Sequence, residues 1–178
     1  LNEKSNKFSQ VNLDVIVRKA IEQVNSESGE SLLSVSFNGL PGLEADKEQL
    51  ELLMYHLLSN AVKFRKGEKA IVKINSTIVK KNTFLSVENK YEYNDFVRLE
   101  VVDEGIGFDE HYKEYIFELF KRLHFANGQG LGLALCKKVA NNHKGFIEAE
   151  SEVNKFTRIT VWLPLSQSGV ATNHIPAH

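Results

Sequence analysis

One cysteine occurs in the 178 residues, Cys136. A single thiol excludes an internal disulfide framework and a multi-cysteine metal site, fits a reducing compartment, and reads as a small buried apolar residue. Long hydrophobic runs are missing too. No stretch approaches the ~20 apolar residues of a membrane span, and the polar start "LNEKSNKFSQ" has nothing of a secretory signal. An excess of charge of either sign is also lacking: 22 Lys and Arg against 23 Asp and Glu leave a formal charge of -1. With no global field to draw in nucleic acid or an anionic membrane, any anion recognition has to be built locally. Internal repeats and low-complexity tracts are absent as well. What remains is ordinary globular composition, 42% hydrophobic and 25% charged, and enough chain for one domain with a sizeable core. The chain begins at Leu rather than Met and ends in "SQSGVATNHIPAH". It therefore reads as a piece of a longer protein, with a domain over 1–165 and a disordered tail over 166–178.

"VNLDVIVRKAIEQVNSES" places Leu13, Ile16, Val17, Ala20, Ile21 and Val24 at helical spacing, which predicts a helix with one apolar face capped near Asn12. "SLLSVSF" predicts a short strand closed by the turn-rich "NGLPGLEA". The longest helix starts at Asp46, where Gln49 completes a capping box, and runs through "DKEQLELLMYHLLSNAVKFRK". From residue 70, "AIVKINSTIV", "TFLSV" and "DFVRLEVVD" predict three antiparallel strands, with "VENKYEYND" as a surface excursion between two of them. A glycine-bounded irregular segment follows, with a short helix around Tyr112 to Leu119. Then "LGLALCKKVANNHK" predicts a helix, and "GFIEAES" with "FTRITVWLPL" a closing hairpin. The expected class is α/β (α+β): a two-layer sandwich of a mixed, mostly antiparallel sheet with three main helices on one face.

Three stretches could carry chemistry. On the long helix, His56, Asn60 and Lys63 fall at spacings of four and three and form a polar strip beside the apolar arc of Leu53, Leu57, Ala61 and Phe64. The strip offers an amide oxygen, a hard ligand for Mg²⁺, and an ammonium for phosphate; a solvated helix edge gives the same pattern. "NGQGLGLALCKK" runs Gly128, Gly130 and Gly132 into a helix start, whose free N–H groups favour anions. It is not a dinucleotide fingerprint, since no strand precedes it in a β-α-β unit. "DEGIGF", residues 103–108, sets two glycines behind an acidic pair, either for a tight turn or for close approach of another molecule to the backbone.

Taken in order, "HLLSNAVKF", "DEGIGF", "IFELFKRLH" and "GQGLGLALCKKV" resemble the asparagine box, first glycine box, phenylalanine box and second glycine box of the ATP-binding domain of sensor histidine kinases. That domain belongs to the superfamily shared with gyrase, Hsp90 and MutL. The likeness covers about residues 8–165 and is greatest to phytochrome-like and PAS-linked kinases. It implies a Bergerat-type fold that binds ATP and Mg²⁺. Asn60 would coordinate Mg²⁺ and Lys63 would neutralise phosphate charge. Asp103 would accept from the adenine amino group, favouring adenine over guanine, and Gly105 and Gly107 would let the base lie against the backbone. Phe117 and Phe120 would anchor the lid, and Gly128, Gly130, Leu131 and Gly132 would meet the phosphates and supply a hinge.

Position 56 separates the branches of this superfamily. Its hydrolytic members carry a glutamate one turn before the Mg²⁺ asparagine, and here His56 stands there, which favours phosphoryl transfer over hydrolysis. None of the six histidines is followed by an acidic residue, so the resemblance implies an acceptor histidine on a separate, upstream dimerisation domain. It implies further a protein histidine kinase of a two-component system, facing the cytoplasm and serving a response regulator indirectly, with no contact to nucleic acid or membrane by this domain. Departures are a lid shortened between His124 and Gly130, Phe156 in place of a glycine, and Lys144 in place of another. They keep open a superfamily ATPase or serine kinase, or a nucleotide-free interaction module.

Overall fold

The computed structural model describes residues 5–85, 90–118, 131–167 and 172–173. The chain enters through a strand β1, Phe8–Asn12, and turns into a helix α1, Leu13–Ser28. Asn12 caps the helix, accepting from the Asp14 N–H at 2.9 Å, and Gly29 ends it in the left-handed region at φ 69°. Strand β2, Leu33–Phe37, leads to β3, Gly42–Asp46, which pairs antiparallel with β1 in a separate two-stranded ladder. The turn read from residues 38–45 thus covers most of β3, and the sequence reads β1 as no element at all. Only Val11 of β1 is buried, so the strand lacks the apolar alternation that would announce it, and main-chain pairing alone makes it.

Helix α2, Lys47–Lys63, begins where predicted, with the Asp46 carboxylate accepting from Gln49 N–H at 3.1 Å. The three strands expected next are two: β4, Ala70–Leu85, is continuous and pairs residue for residue with β5, Lys90–Asp103. Local composition divides β4 where it turns polar, but the cross-strand ladder does not stop there. A 3-10 turn at Glu110–Tyr112 precedes helix α3, Leu131–Asn142, and β6, Phe146–Glu152, forms the predicted hairpin with β7, Phe156–Pro164. Strand β8, Thr172–Asn173, pairs with β5 at Tyr91 and Glu92, so part of the expected tail is structured.

The main sheet has the order β2-β4-β5-β7-β6, with β2 parallel to β4 and the other neighbours antiparallel. All three helices contribute to one core: Ile16 and Val17 of α1, Leu53, Leu57 and Leu58 of α2, and Cys136, Val139 and Ala140 of α3 lie with Val72, Ile74, Val97, Leu99, Val101, Ile159 and Val161 of the sheet. Each large aliphatic side chain so buried contributes roughly 1.5–3 kcal/mol. Helices α2 and α3 run antiparallel, because Asn142 meets Gln49 and Cys136 meets the Leu53 carbonyl. The Cys136 thiol is pushed up to about 12 by burial, which makes it the inert apolar residue expected.

Candidate functional site

Three segments meet at the C-terminal end of α2. Helix α2 stops at Phe64, whose N–H still donates to the Asn60 carbonyl at 3.0 Å. The Phe64 carbonyl, freed by the helix end, accepts from Ile106 N–H at 2.9 Å, and Glu104 N–H donates to the Ile71 carbonyl at 3.1 Å. The 103–108 turn is thereby bolted to the helix that carries Asn60 and Lys63. From the other side comes the turn between β6 and β7. Asn154, in the left-handed region at φ 60°, donates its N–H to the Ile106 carbonyl at 2.7 Å, and Lys66 Nζ donates to the Asn154 carbonyl at 2.7 Å.

The glycines of "DEGIGF" are required by this convergence. A methyl group at Gly105 would stand 2.6 Å from the Phe64 carbonyl oxygen, and Gly107, at φ 63°, would drive one into the Glu152 carbonyl. Their missing side chains therefore face the protein's own backbone. Gly132 works similarly at the start of α3: a methyl there would lie 3.0 Å from His56 Nδ1, so the glycine lets the helix seat on the imidazole. Desolvation holds His56 below the usual imidazole range, and Tyr55 meets it edge-on at 5.2 Å.

Asp103 ends β5. Gly105 N–H donates to its Oδ1 at 2.9 Å, and among the described residues the carboxylate has no cation beside it. Burial pushes it up to about 6, with the Gly105 bond pulling the other way. Asn60 is half-buried and its amide is unpartnered among the described residues; Lys63 is exposed, with Nζ 5.9 Å from the Phe64 ring centroid. Phe117 is buried in the common core beside Ile116. Phe120, Gly128 and Gly130 lie outside the described residues, and Leu131 opens α3.

Sequence reasoning missed the supports of this site. Ser151 is buried; its Oγ accepts from Phe108 N–H at 2.9 Å and donates to the Phe156 carbonyl at 2.7 Å, and Ser151 N–H donates to Glu110 at 3.2 Å. One hydroxyl thus locks the 103–108 turn to the β6–β7 hairpin. A serine in a strand carries no local signal of such a role.

Residues 45–167 match the family model described as histidine kinase-, DNA gyrase B-, and HSP90-like ATPase. Sensor protein RprX of Bacteroides fragilis is 34% identical over 130 residues, which cover 70% of this chain and 22% of that protein. Cyanobacterial phytochrome A of Nostoc sp. is 28% identical over 161 residues, covering 89% of this chain and 19% of the relative. The chain thus spans about a fifth of the length of these curated relatives. The catalytic domain of histidine kinase ThkA superposes with a TM-score of 0.67 at 25% identity, covering 90% of this chain and 99% of that one. The mycobacterial sensor histidine kinase MprB shares the fold at a TM-score of 0.71 and 21% identity, over 89% and 97% of the two chains.

Proposed function

Because the chain belongs to the family of histidine kinase-, DNA gyrase B- and HSP90-like ATPases, and forms the ATP-binding catalytic domain of a sensor histidine kinase, we propose how its own residues hold the nucleotide and direct the phosphoryl group. The observation that carries this reading is Asp103: a carboxylate drawn out of water, with one oxygen fixed by Gly105 N–H and, among the described residues, no cation to pair with. A carboxylate is acceptor-only when ionised and takes the exocyclic amino group of adenine, whereas guanine offers a carbonyl at that edge. The 103–108 turn aims it, held by Phe64, Ser151 and Asn154.

The donor set fits magnesium delivered with a nucleotide. Among the described residues no three His, Cys, Asp or Glu side chains gather as a metal cage, and Mg²⁺ characteristically takes one or two protein oxygens and completes its shell from phosphates and water. Asn60 supplies the oxygen, one helical turn before the Phe64 junction, and Lys63 adds a positive charge for phosphate. Bound Mg-ATP supplies the transferable phosphoryl group; the chain supplies position and charge neutralisation. His56 is neutral and packed under Gly132, where it offers less to an attacking water than a carboxylate would. The acceptor is a histidine on a dimerisation domain upstream in the parent protein, which faces the cytoplasm and passes the phosphoryl group to a response regulator. Among the described residues no helix is long and apolar enough to cross a membrane.

Calorimetric titration with a non-hydrolysable ATP analogue, with Mg²⁺ and then with EDTA, tests this. Wild type binds more weakly in EDTA, and Asn60→Ala binds equally in both, having lost about 1–3 kcal/mol of the Mg²⁺-dependent part. Undiminished Mg²⁺ dependence in Asn60→Ala removes that residue from the site. ATP turnover by the isolated domain without any acceptor would favour the hydrolytic branch of the family instead.

A further inference from the structure

The β2 edge of the sheet is unfinished. Strand β2 pairs with β4 only over Ala70–Ile74 and leaves the sheet after Phe37, while β4 continues to Leu85. On the side away from β5, no strand among the described residues pairs with β4 from Asn75 to Lys80. Where β2 peels away lies a cleft of about 540 Å³, lined among others by Arg18, Phe37, Asn38, Lys73, Asn75 and Ser76. Its charge is of one sign. The Arg18 guanidinium lies 5.1 Å over the Phe37 ring, and among the described residues neither Arg18, Lys73 nor Lys80 has an ion-pair partner. Further along the same strand Ile78 is 55% exposed.

We propose that this edge receives an extended, acidic segment of another polypeptide as an added strand next to β4. The main-chain groups of Asn75–Lys80, which no strand among the described residues pairs on this side, call for a partner with amides of its own. An extended chain turns its side chains to alternate faces. Arg18 stands with Phe37 on the helix-covered face, and Lys73, between buried Val72 and Ile74, on the other, so acidic residues on either side of the added strand find a cation. A second copy of this chain fits less well, because the Asn75–Lys80 edge carries Lys80 and no carboxylate to offer an identical edge. Ile78 gives the added strand an apolar contact. Asp103, on β5, lies outside this cleft, so the proposal stands apart from nucleotide binding.

A fluorescein-labelled dodecapeptide of alternating glutamate and threonine tests it by anisotropy. Saturable binding is expected, at least fivefold weaker with Arg18→Glu or Lys73→Glu and at least tenfold weaker when every second amide of the peptide is N-methylated. A lysine-threonine peptide should not bind. Both substitutions are at exposed positions, and an unchanged melting temperature and unchanged affinity for the ATP analogue show that the variants are folded. Absence of saturable binding, or equal binding by the N-methylated peptide, overturns the added strand. Displacement of the peptide by millimolar inorganic phosphate would make the cleft a small-anion site and overturn it equally.

Discussion

At Asp103, withdrawal from water pushes the carboxyl up to about 6, against an ordinary value of 3.8. Between those two values the folded chain holds a proton that the unfolded chain has released, so this residue makes stability fall as pH rises through the window. Asp103→Asn keeps an oxygen for the Gly105 N–H and removes the desolvated charge. The variant should be more stable than wild type by roughly 1–2 kcal/mol at pH 7.5, allowing for solvent reach. The gain should fade as pH drops toward 4, while discrimination between ATP and GTP analogues is lost. Urea melts at pH 7.5 and 4.5 measure the first, and calorimetry the second; a variant less stable at pH 7.5 would contradict the assigned desolvation. Gly107 is a different case, because its backbone sits at φ 63° with Glu152 directly opposite. Gly107→Ala should destabilise by about 2–4 kcal/mol, through an unfavourable φ and displacement of the β6–β7 turn. A urea midpoint unchanged from wild type would mean that this turn yields freely.

Between elements, the connection that matters most is made by His143, fully buried just beyond the end of α3. Its Nδ1–H donates to the Val139 carbonyl at 2.7 Å, and its Nε2 accepts from Asp46 N–H at 3.0 Å, a bond that requires the neutral ring. Asp46 caps α2 and also takes Lys7 N–H at 2.9 Å, so the incoming strand, the start of α2 and the end of α3 share one polar knot. Gln49 and Asn142 extend it. Burial holds His143 below the ordinary imidazole value of 6.5, with the Val139 bond and Asp46 opposing. The unfolded chain therefore takes up a proton near pH 6.5 that the folded chain refuses until lower pH, so the stability from this residue is full above 6.5 and declines below it. His143→Gln should lose about 1–3 kcal/mol at pH 8 and show a smaller further loss between pH 7 and 5 than wild type. Equal acid sensitivity in the two proteins, by denaturant melts, would assign the effect to another group.

For the molecule as a whole, the three main helices and their starts were legible because caps and apolar periodicity act over a few residues, whereas the short helix expected around Tyr112 to Leu119 is, among the described residues, a 3-10 turn at Glu110–Tyr112 followed by further turns. Asn12, Asp46 and the stripes of α1 and α2 are written in the chain itself, and so is the order of boxes that brings Asn60 and Asp103 into one family pattern. The β6–β7 hairpin was equally readable from its alternating residues. Pairing between distant segments was not. The β1–β3 ladder, the unbroken run of β4 and the return of Thr172–Asn173 to β5 rest on main-chain hydrogen bonds, which any side chain permits and none announces. The candidate site divides along the same line. The sequence alone determined which residues carry a hard oxygen, a positive charge and an acceptor carboxylate. Only the tertiary structure decided that Gly105 and Gly107 are glycines because Phe64 and Glu152 approach them, that Ser151 and Asn154 brace the turn, and that Asp103 loses its water. Burial and close approach are properties of segments folded together, and no stretch of chain possesses them before it folds.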